Sequence, residues 1–154
     1  MDFTVQLALV DALPVLFFGI AAVVLGLKLH SGLFSVGAAV CLLAGAGKVL
    51  WKLIRALGGG DIAILSTQHR FLLPLGFILM IVGVVASDRA LVKGLLGRAV
   101  HMPSILFFAL SLVGAVAMVL VARKMDLSVA RGNWVAQITN AAVQGCVLVG
   151  VLLM

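Results

Sequence analysis

Four side-chain amides and two opposite charges are the groups in this sequence able to do chemistry away from water. Asn133, Gln137, Asn140 and Gln144 recur along "NWVAQITNAAVQGCVLVGVLLM". At about 100° per residue they fall within an arc of about 60° on one helix. Such a stripe either bonds to a neighbouring helix or lines a polar space. It also stops halfway, because beyond Gln144 the same face continues as Val147, Leu148 and Val151. A water-filled pore needs polar lining from end to end, so two readings stand: a half-depth cavity wall or an interhelical hydrogen-bond ladder.

The charges are Asp11 and Lys48, each inside an apolar run. An ionisable group at the centre of a membrane helix costs about 2.5 to 3.5 kcal/mol on insertion scales, so each needs a reason. Counted from a joint near residue 30, the two lie at nearly equal depth in an antiparallel hairpin rising about 1.5 Å per residue. That depth match allows an Asp11–Lys48 pair across the first two helices, while the favoured reading has Lys48 snorkelling along its stem toward the headgroups on the N-terminal side without a partner. Lys48, Lys52 and Arg55 share one helix face, which continues as Gly45, Ala44, Cys41 and Gly37. Small residues at this spacing let another helix come close. Pro14 and Pro74 free the carbonyls of Val10 and Arg70.

Together with Gln6, the residues Asp11, Lys48, Lys52, Gln137, Asn140 and Gln144 are expected to line one vestibule open to the N-terminal side of the membrane. It would bind a polar anionic or zwitterionic solute, or a lipid headgroup, in a transporter- or channel-like protein. Asp11 would hold or release Lys48, Lys52 would attract the anion, and the amides would supply hydrogen bonds. One alternative is a non-catalytic membrane subunit or assembly protein that associates through its polar and small-residue stripes. A second is a lipid-modifying enzyme, for which the joints offer Asp61, His69, Asp88, His101 and Asp126 without a constellation.

The elements that must position these groups are membrane spans. The chain has 154 residues, 64% hydrophobic and 10% charged, with a mean hydropathy of +1.32, beyond any ordinary soluble domain. A span takes about 20 residues, and five runs of roughly that length remain once the polar joints are removed, near 4–27, 33–54, 71–87, 103–122 and 133–153. The expected fold is a single all-α domain over 1–154, a bundle of five transmembrane helices. A short amphipathic helix is expected near 88–100, where Arg89, Lys93 and Arg98 turn against Leu91, Leu95 and Leu96. Pro103 suits the first turn of the fourth span. The first run starts with Asp2 instead of a basic segment and outlasts the apolar core of a signal peptide, so it is read as a span.

Eleven Lys and Arg against five Asp and no Glu give a net charge of +6. Most of the basic residues stand at the joints, as a collar for anionic headgroups, which makes membrane lipids the expected partner and nucleic acid a poor one. With the N-terminal side termed side one, Lys52, Arg55, Arg70, Arg123, Lys124 and Arg131 gather there, and Lys28, Arg89, Lys93 and Arg98 on side two. The bias favours a cytoplasmic side one in a bacterial inner or plasma membrane, while Asp2 and Lys28 pull the other way.

Catalytic motifs are not found: intramembrane carboxylates are too few to cluster, and paired Asp, Ser with a base, and HExxH are missing. His30, His69 and His101 all stand at span ends, and Cys41 and Cys146 have no metal-ligand neighbours, so no metal or cofactor is expected. Small-residue faces suggest a homo-oligomer or a larger membrane complex. In length and number of spans the chain is similar to the translocator-protein family. That family is rich in Trp, Tyr and Pro, whereas here there are two Trp, no Tyr and three Pro, and no residue is carried over from it.

Overall fold

The computed structural model describes residues 4–125 and 130–154. Asp2 and Asp126 lie outside them. Among the described residues seven helices follow in order: α1 Val5–Leu29, α2 Gly32–Ala56, α3 Ala63–Thr67, α4 His69–Val85, α5 Arg89–Ala99, α6 Ser104–Lys124 and α7 Ala130–Leu153. The five expected spans correspond to α1, α2, α4, α6 and α7, and the expected surface helix to α5. Four are long and apolar enough to cross a membrane unaided, and α4 joins α5 through a bend of 108°. With 17 residues, α4 rises about 25 Å, near the lower limit for a span, and the bend turns α5 almost perpendicular to it.

Local chemistry sets the helix ends. Thr4 caps α1 by accepting from the Leu7 N–H, and Asp88 caps α5 by accepting from Ala90. Between α1 and α2 the chain reverses through His30, left-handed at φ 50°, whose N–H bonds back to α1 carbonyls while Ser31 caps α2 through the Phe34 N–H. The same Ser31 hydroxyl donates to the Gly83 carbonyl of α4 at 3.1 Å. Pro14 and Pro74 both lie inside continuous helices. The small helix α3 was not anticipated, since five residues carry too little periodicity to read.

The helices pack in the order α4, α2, α1, α7, α6, each mainly against the next, so α4 and α6 form the two edges of a crescent. The α2–α4 contact is the tightest. A Cβ on Gly37 would lie 2.6 Å from the Gly76 carbonyl oxygen, and one on Gly76 would collide with the Cys41 sulfur. The small face foreseen on α2 is thus occupied, at Gly37 and Cys41, by a helix of the same chain. On side two, Leu95 of α5 is buried with Ala22, Leu29, Phe34 and Ala38, which plants the surface helix on the α1–α2 hairpin. Burying a leucine is worth roughly 1.5 to 3 kcal/mol in water.

Candidate functional site

On the side-one half of the crescent is a cavity of about 410 Å³ lined from all five spans. α1 contributes Asp11, Pro14, Val15 and Phe18, a strip at spacings of three and four that a helix presents on one face. α2 adds Cys41, Gly45 and Lys48, α7 adds Gln137, Asn140 and Gln144, and the edge helices supply Leu73 and Phe77 from α4 and Met118 from α6. Five of the six expected site residues therefore converge. Lys52 is the exception, and Gln6 is exposed on α1 away from the cavity.

The ion pair is where the expectation fails. Asp11 Oδ2 pairs with Lys52 Nζ at 2.8 Å, both side chains 10% exposed or less, and Lys48 is left out. The helix ends explain this. Asp11 stands eighteen positions before Leu29, and eighteen positions after Gly32 comes Leu50. The depth match thus falls midway between Lys48 and Lys52, and side-chain direction decides. Each Cα–Cβ bond tilts toward its helix N-terminus, so Asp11 leans toward side one and the α2 lysines lean toward side two. Asp11 and Lys52 lean toward each other, whereas Lys48 leans away, toward the midplane. The same tilt disfavours snorkelling of Lys48 to side one.

The cavity consequently contains a cation whose counter-charge is engaged elsewhere. Among the described residues Lys48 makes no ion pair or hydrogen bond, and neither Asn140 nor Gln144 hydrogen-bonds through its side chain. Gln137 Nε2 donates to Asn133 Oδ1 at a long 3.5 Å, one turn away on the same helix, and its buried Oε1 is without a partner. No interhelical amide ladder forms within these residues: Gln137, Asn140 and Gln144 of the stripe line the cavity.

Around this centre other polar groups are committed elsewhere. Trp51 Nε1 donates to Asp61 Oδ1 at 2.7 Å, and His69 stands at the start of α4. Among the described residues no three His, Cys, Asp or Glu come together as a metal would need. His101 Nδ1 lies 2.6 Å from the Gly97 carbonyl, far along the chain from the polar centre. The apolar part of the lining, Phe18, Phe77, Leu73 and Met118, was not foreseen; only the Asp11, Val15, Phe18 spacing signalled any of it. Phe18 and Phe77 meet edge to face with centroids 6.1 Å apart. Compared with protein-family models, curated proteins and solved structures, the chain matches none.

Proposed function

We propose that this integral membrane protein binds an anionic or zwitterionic group in its half-membrane cavity, as a transporter- or channel-like protein does. The observation that supports this best is Lys48: a cation in a cavity with three amides, and without an ion-pair partner among the described residues. A bound anion would supply the missing charge. Asn140 and Gln144 would give N–H donors to it, and the orphaned Gln137 Oε1 would accept from a donor on a zwitterion. The Asp11–Lys52 pair is net neutral and serves as a fixed, polar corner of the site. A volume of about 410 Å³ falls in the range of small-ligand sites. With the basic excess on side one, the cavity would face the cytoplasm.

The test is native mass spectrometry of protein released from nanodiscs of phosphatidylglycerol and phosphatidylethanolamine, with acetate and phosphate in the buffer. The wild-type chain should retain one anionic or zwitterionic component. Lys48→Met and Gln144→Leu should lose it, and Lys124→Met, at the exposed end of α6, should keep it. Equal retention by all four proteins would refute the reading.

A further inference from the structure

The crescent order leaves one side of the cavity without a packed wall. α4 and α6 both line it, through Leu73, Phe77 and Met118, yet these two helices have no extended contact with each other. Both are edge helices with lipid-facing surfaces: Ile78 and Ile81 on α4, and Leu112, Val113 and Val116 on α6, are all more than half exposed. Phe77 is itself 47% exposed while its ring packs on Phe18 inside. The gap between α4 and α6 thus leads from the bilayer core to Lys48 across an apolar threshold, with polar groups on the far wall.

We infer that the cavity is loaded laterally, through the α4–α6 gap, by a membrane lipid whose anionic headgroup reaches Lys48 while its chains stay in the bilayer between the edge helices. The inference rests on the proposed binding role of Lys48 and names the source of the ligand. Charge complementarity supports it: a lysine lining a cavity within the hydrocarbon layer is unfavourable unless neutralised, and an anion arriving between the edge helices carries acyl chains. The half-length of the amide stripe fits the same ligand, since polar lining is needed only as deep as a headgroup extends. The threshold residues are apolar, as the passage of chains requires, and a route for a hydrated ion would not favour them.

The experiment closes the gap covalently. In a Cys41→Ala/Cys146→Ala background, Leu73→Cys and Met118→Cys are bridged with a bis-maleimide before reconstitution, and retention is read in the nanodiscs described above. The same variant without the bridge, measured with and without Lys48→Met, sets the reference for phosphatidylglycerol retention. With the bridge, retention should fall at least tenfold. Undiminished lipid retention in the bridged protein would overturn lateral loading and leave the Lys48 site intact. Lys48-dependent retention of acetate or phosphate in place of lipid would also overturn it, whereas no Lys48-dependent ligand at all would remove the binding site itself. Should the bridged protein fail to fold, Met118→Trp provides a plug with the same expected loss, and full retention by that variant would count equally against the inference.

Discussion

Breaking the Asp11–Lys52 pair provides the sharpest test of how the interior is organised. At 2.8 Å and an effective dielectric near 20, two unit charges attract by about 6 kcal/mol. Removing them from water costs several kcal/mol per ion, so the pair as a whole contributes little, while loss of one partner exposes the uncompensated cost of the other. Lys52→Met keeps the apolar stem and leaves Asp11 buried without this cation. It should destabilise the protein by about 3 to 5 kcal/mol. The double variant Asp11→Asn/Lys52→Met should return to within about 1 kcal/mol of wild type. Reversible unfolding in mixed micelles titrated with dodecyl sulfate, followed by circular dichroism, gives the four free energies of the cycle. Neutral interhelical hydrogen bonds in membranes contribute about 0.6 to 2 kcal/mol, so a coupling above about 2 kcal/mol marks a buried ion pair. Additivity within about 0.5 kcal/mol would refute the pairing. A Lys48→Met variant coupled to Asp11→Asn more strongly than Lys52→Met would show that the sequence-based pairing had been right.

Other consequences are open to measurement. Asn140→Leu and Gln144→Leu should leave the unfolding free energy unchanged or raise it, because neither amide bonds to protein among the described residues; a loss above about 1 kcal/mol in the same titration would reveal a hidden helix contact. Gly37→Leu should cost at least about 1 to 3 kcal/mol by overpacking, since the Gly76 backbone cannot retreat as a side chain tip could, and an unchanged midpoint would show that α4 is not seated on α2. Leu95→Asp should unseat α5 and speed proteolysis after Arg89 and Lys93 in micelles, whereas Leu96→Asp, on the exposed side of the same helix, should cleave at the wild-type rate.

The spans were legible because hydrophobicity and length act one residue at a time, and short joints made neighbours of α1 and α2. The amide stripe was legible as a stripe for the same reason. Which lysine meets Asp11 was not, since the helix ends put both within two positions of the matching depth and the choice turns on the tilt of a bond. Equally hidden was the destination of the α2 small face: Gly37 and Cys41 declare that something comes close, but only the three-dimensional order α4, α2, α1, α7, α6 says that it is α4. That order also makes cavity lining out of Phe77 and Met118, which lie in apolar stretches of their own helices.

The surface helix α5 has a mechanical role beyond its buried leucine. The edges of the crescent are consecutive spans, and α5 is the chain that ties them, running from the end of α4 to the start of α6 on side two. Eleven residues of helix reach about 16 Å, and Leu95 pins that length to the hairpin below. The two edges are therefore tethered at one end like the arms of tweezers. Among the described residues no segment joins their other ends, at His69 and Lys124, to each other: there α4 packs on α2 and α3, and α6 on α7. Any widening of the crescent is greatest on side one, the half in which the polar cavity lies.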